Sequence, residues 1–128
     1  LYEMLNPNGK LLIRIPVMSD PLFKKYGTNL VNLDAPRHFF IHSVQSIKAL
    51  LVENGFTVYE TIFDGVVFDL IASEQYKNDI SIYDERSYFV NKKKSIFTKS
   101  QIRQFKKEIK DLNAKKQGSS IALFIEKK

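Results

Sequence analysis

The sequence predicts an α/β fold, and three observations carry that prediction. Lys10–Val17 holds Leu11, Leu12, Ile13 and Ile15 almost without polar interruption, the pattern of a strand covered on both faces, as in a parallel sheet. An amphipathic helix follows, and Phe56–Phe63 then reads as a second strand. Strand, helix, strand in this order is a βαβ unit, whose crossover should be right-handed.

The elements follow from local chemistry. Leu1–Leu5 resembles the tail of a helix, and with a first residue other than Met it reads as part of a longer protein. Asn6-Pro7-Asn8-Gly9 is a turn, because proline presets its own φ and glycine supplies a positive one. Pro16 marks where strand pairing should stop on at least one side. Ser43 is a candidate N-cap for a helix to about Asn54, with Val44, Ile47, Leu50 and Leu51 as its apolar stripe. Gly55 can take the left-handed position that ends it. Val66–Tyr76 is ambiguous between strand and helix, and the polar Ser73-Glu74-Gln75 tips the reading to helix. Asn78–Lys94 carries no clear pattern. Thr98 and Gln101 make a capping box, and Ile102, Phe105, Ile109 and Leu112 recur at helical spacing. Ser120–Glu126 is a final strand.

Met18–His42 is far longer than an ordinary connection, yet it is rich in apolar residues. Long loops of that kind are binding loops or lids. Its densest stretch, Leu33-Asp34-Ala35-Pro36-Arg37-His38-Phe39-Phe40-Ile41-His42-Ser43, crowds two histidines, an arginine and an aspartate together.

Composition narrows the class. The 128 residues fit one domain. No apolar run approaches the roughly 18–20 residues a bilayer span needs, and no signal-peptide pattern is present. The chain has no cysteine, which suits a reducing cytoplasm, and only two histidines, so no metal site is expected. The net charge of +6 is lopsided: residues 1–64 carry six basic and six acidic groups, and the excess lies beyond them. Lys92–Lys116 holds ten basic residues against Glu108 and Asp111. Such a stripe can attract nucleic acid or an anionic surface. On the helix after Thr98 the cations flank an apolar seam, which is how a solvated face reads, and stacking aromatics are sparse.

Several local sequences resemble the C-terminal half of class I S-adenosylmethionine-dependent methyltransferases. Asn6-Pro7-Asn8-Gly9-Lys10-Leu11-Leu12-Ile13-Arg14-Ile15-Pro16 is similar to the "L-x-P-G-G-x-L-x-I-x-x-P" approach to their fifth strand, with Asn8 in place of the usual glycine. Tyr26-Gly27 followed by Leu33-Asp34-Ala35-Pro36-Arg37-His38 resembles the "YG…LDAPRHL" segment of one subgroup, and Ser43–Phe56 its "S-x-x-S-L-x-x-L-L-x-x-x-G-F" helix. Ser73-Glu74-Gln75-Tyr76 is similar to a further subgroup feature.

The resemblance implies a partial Rossmann-like methyltransferase fold: a three-stranded mixed sheet with flanking helices, and the last strand inserted antiparallel between two parallel ones. Residues 1–128 would be the single substrate-side part, acting on a small-molecule or glycan acceptor. The first strand would then keep one bare edge, where the N-terminal half or a second copy could pair. In that family S-adenosylmethionine sits on a glycine-rich turn. Here the five glycines are scattered with no G-x-G pattern, so no cofactor-binding residue is expected and the chain alone should be inactive.

The candidate site residues come from the same loop and its neighbours. Arg37 could clamp an anionic acceptor or pair with Asp34. His38 could take a proton during methyl transfer, or hydrogen-bond a carbonyl. Asp34, Tyr26, His42 and Tyr76 are further acceptor-binding candidates. Each has a packing alternative, for His42 a staple beside the helix cap. The competing reading is a basic α/β binding module for nucleic acid or an acidic partner.

Overall fold

A computed structural model describes Leu1–Lys128 and carries seven regular elements larger than a single 3-10 turn. They are β1 (Lys10–Pro16), α1 (Asp20–Tyr26), α2 (Val44–Glu53), β2 (Phe56–Phe63), α3 (Val67–Lys77), α4 (Lys99–Ala114) and β3 (Ser120–Lys127). The fold is α/β, with a three-stranded sheet in the order β1-β3-β2 and helices around it. The last strand does lie between the first two, and β1 and β2 run the same way without touching. Both hydrogen-bonded ladders are antiparallel, so the sheet is antiparallel rather than mixed.

Nor is β1 covered on both faces. It is an edge strand whose exposed and half-buried residues alternate. Leu11, Ile13 and Ile15 turn inward with Ile121, Leu123 and Ile125 of β3, and this layer packs on Ile47 and Leu51 of α2. On the opposite face Leu12 is 55% exposed, and Tyr59 and Ile62 of β2 also reach solvent. The apolar run misled because Leu12 looks like a core residue in sequence.

Backbone parity explains Pro16. Val17 N–H donates to Ser119 O at 2.9 Å, and Lys127 N–H donates to Gly9 O at 3.0 Å. Odd-numbered residues of β1 therefore aim their backbone groups at β3, and even-numbered ones at the free edge. The N–H that Pro16 lacks would have pointed where no strand pairs. Beyond it, Met18 N–H donates to His42 O at 2.9 Å.

The long loop is largely structured. Asp20-Pro21 starts α1, whose Leu22 and Tyr26 face inward one turn apart. Leu22, Tyr26 and Leu30 pack with Leu70 and Ile71 of α3 and Ile102, Phe105 and Ile109 of α4. This helical group hangs from the ends of β1 and β2 that carry their last residues. Leu1–Leu5 forms a single 3-10 turn, with Tyr2 set edge-on against Phe56 at 5.5 Å.

The helical cluster and the sheet cluster share no residue. Between them runs a polar seam. Ser19 Oγ donates to Gln117 O at 2.6 Å, Ser119 Oγ to Asp69 Oδ2 at 2.8 Å, and Asn113 Nδ2 to Gly65 O at 2.8 Å. Burial pushes the Asp69 carboxyl up, although Ser119 and the Val66 N–H oppose that by bonding its charged form.

Candidate functional site

The Leu33–Ser43 run is built on a short foundation. Ser73, fully buried in α3, accepts the Val31 N–H at 2.9 Å and donates to Asp69 O at 2.5 Å. Asp34 then takes the left-handed conformation (φ 42°), and the Ala35–Pro36 peptide is cis. The Asp34 carbonyl accepts Arg37 N–H at 2.9 Å, closing a tight turn. Its carboxylate holds Arg37 Nη2 at 2.8 Å.

Arg37 is therefore paired with Asp34 and still 79% exposed along its side chain. The bond to Asp34 and its charge push the guanidinium further above its ordinary value, with weaker help from Tyr83 and Tyr76. Tyr76 is half-buried on α3, and neither it nor Tyr83 bonds Arg37. A guanidinium offers five donors, and Asp34 leaves most of them free for a carboxylate, phosphate or carbonyl.

His38 stands exposed beside it, with its backbone N–H 3.4 Å from Asp34 O. Phe39 and Phe40 follow at 88% and 83% exposure. Two adjacent phenylalanines in water forgo roughly 1.5–3 kcal/mol each of burial energy. The tip is thus cationic, polar and apolar within four residues.

The other candidates lie apart from this tip. Tyr26 is 4% exposed, and its ring belongs to the helical core. Burial is the main reason its phenol is pushed far up, with Glu74 and Glu108 adding to it. It anchors α1 instead of lining an open pocket. His42 is tied down on both sides: its carbonyl serves β1, and its Nδ1 sits 3.2 Å from Ser46 Oγ. Directly after it, Ser43 Oγ accepts the Ser46 N–H at 3.1 Å and caps α2.

Sequence reasoning passed over a groove of about 400 Å³ at the last residues of β1 and β2. Its walls are Met18–Pro21, Ser43–Gln45, Lys48, Thr61, Phe63 and Lys116–Gly118. The signal existed in part, since Ser19-Asp20-Pro21 and Ser43 are both helix starts. Nothing in sequence brings them to opposite walls of one groove. Ser43 ends the Arg37-bearing loop and stands on that groove's rim. Gly118 is the only glycine among the lining residues, so no pair of glycines offers a turn for a nucleotide-like cofactor. No cluster of three or more His, Asp or Glu suits a metal ion, and no helix is long and apolar enough to cross a membrane. No protein-family model, curated protein or solved structure matches this chain.

Proposed function

We propose that this chain is the acceptor-binding part of an S-adenosylmethionine-dependent methyltransferase. The observation that carries the reading is the groove at the ends of β1 and β2 with the Arg37–Phe40 loop leading onto its rim. In open parallel sheets ligands sit outside such strand ends. Here β1 and β2 run in the same direction with β3 antiparallel between them. Binding residues are often carried on loops of this kind. The resemblance of Leu33–His38 to the methyltransferase loop names the chemistry.

In this reading the acceptor occupies the groove, with Lys48 and Lys116 beside any anionic group. Arg37, held by Asp34, orients a carboxylate, phosphate or glycan oxygen. His38 takes the proton that the acceptor's nucleophile loses. Phe39 and Phe40 fold onto the bound acceptor and exclude water, recovering their burial energy only then. The residues present do not fit S-adenosylmethionine, so its binding falls to residues outside this chain. The open edge of β1 is where such a half would pair, in parallel with β1.

The test is methyl transfer by this chain together with whatever is encoded upstream of Leu1. His38→Ala should lower kcat by about 10²–10³-fold, the size of a lost general base. Arg37→Ala should raise KM by about tenfold or more, since a charged hydrogen bond is worth roughly 1.5–3 kcal/mol. An upstream sequence without a glycine-rich strand–turn–helix, or a longer protein that transfers no methyl group, ends the reading.

A further inference from the structure

A second cavity, of about 540 Å³, lies between the segment before α4 and the first turns of that helix. Five cations surround it: Lys92, Lys93, Lys99, Arg103 and Lys106. None is in a salt bridge, and no carboxylate lines the cavity. Its apolar part is Tyr88, Phe97 and Ile102. Tyr88 and Phe97 meet edge-on at 6.5 Å, and Lys92 Nζ stands 5.5 Å from the Tyr88 ring centre.

The charge order of α4 is an independent sign. A helix favours acidic residues in its first turn and basic ones in its last. α4 has no acidic residue in its first turn and no basic one in its last. Lys99 is its first residue, and Arg103 follows one turn later. Cations at a helix start are disfavoured by its dipole, only slightly where they are exposed. An anion in the cavity reverses that effect.

We propose that this cavity binds a phosphorylated ligand with a flat ring, of the nucleoside diphosphate kind. Two phosphates match cations supplied both by the segment before α4 and by the helix. The ring packs on the exposed parts of Tyr88 and Phe97, whose other sides rest on the helical core. A long nucleic acid fits less well. Beyond the cavity, Lys107 of α4 and Lys115 just past the helix end share their surface with Glu108 and Asp111, which breaks the basic track. The proposal is independent of the acceptor groove, with which this cavity shares no lining residue.

The experiment is calorimetric titration of the whole chain with ADP, inorganic pyrophosphate and adenosine. ADP should bind at least about tenfold tighter than either fragment, since each supplies only half of the contacts. Lys99→Gln with Arg103→Gln should weaken ADP by about tenfold or more, and Lys107→Gln with Lys110→Gln by less than about twofold. Equal weakening by both double variants, or no binding of ADP and pyrophosphate at millimolar concentration, overturns the proposal. So does tighter binding of oligo-dT that responds to the Lys107/Lys110 variant, which identifies a polymer surface. Lys99→Glu should raise the Tm of the unliganded chain while weakening ADP; an unchanged or lower Tm removes the premise drawn from α4.

Discussion

Asp69 is a carboxyl group buried in the seam between the two cores. Its folded-state pKa lies above the ordinary carboxylate value, so folding favours the protonated form. Its contribution is most favourable below the unfolded pKa and is lost as pH rises through the folded one. Asp69→Asn keeps an oxygen for Ser119 and Val66 and removes the charge. We expect the variant to melt higher than the wild type at pH 7, with the gap closing toward pH 3. Thermal melts between pH 3 and 8 check this, and a gap that does not change with pH would sink it. Asp84, held down to about 2 mainly by its bonds to Arg86, acts in the opposite sense. It is half-buried, but its partner Arg86 reaches solvent, and screening keeps the effect small. Residue roles were unevenly legible in the sequence. The Asp34–Arg37 pair could be read because the two are three apart around a proline. The packing alternative for Tyr26, an aromatic anchoring a long loop, could also be read; its partners on α3 and α4 could not, since they lie far away in sequence.

Among the elements, capping was the most legible feature. Thr98 Oγ1 accepts the Gln101 N–H at 3.2 Å, and Gln101 Oε1 accepts the Thr98 N–H at 2.8 Å. Thr98→Ala should cost about 1 kcal/mol, read as a lower urea midpoint with unchanged slope. No loss would mean that the helix start is held by tertiary contacts instead. Helices α2 and α4 and strand β2 follow their sequence patterns because cap, stripe and terminator agree. Helix α1 escaped notice at seven residues, too short for periodicity to speak, although Ser19-Asp20-Pro21 announced its start. For β1 the alternation was hidden by Leu12, an apolar side chain in an outward-facing position. Asn78–Lys94 carries no period because it is held by particular contacts. Buried Gln75 bonds Ser87 Oγ at 3.1 Å and the Tyr88 N–H at 2.8 Å.

For the whole molecule, the open sheet face is the dominant feature. Leu12, Tyr59 and Ile62 reach solvent there, beside half-buried Phe124, and no helix covers them. Such a face invites a partner. Symmetric pairing of two β1 edges about Leu12 would set Lys10 opposite Arg14 of the second copy, like charges across a ladder. The face is therefore the better contact between copies than the edge. The chain should self-associate at high micromolar concentration, and Ile62→Glu should shift it to monomer without lowering its Tm. Sedimentation velocity reads the outcome; a wild-type chain that stays monomeric contradicts it. The order β1-β3-β2 was legible through the family resemblance alone. Periodicity gives strands, never their neighbours.

The seam between the two cores has a mechanical consequence. Its contacts are hydrogen bonds to backbone carbonyls and one buried carboxylate, for which water can substitute at small cost. Apolar cores resist shear because every side chain is locked among its neighbours. A polar joint crossed by four chain segments is held less tightly than either apolar core. The groove is lined by Met18–Pro21 and Lys116–Gly118, which include the seam residues Ser19 and Gln117, and by Ser43–Gln45 and Lys48 at the start of α2. A change in the angle between the two cores would therefore change the width of the groove without disturbing the packing inside either core.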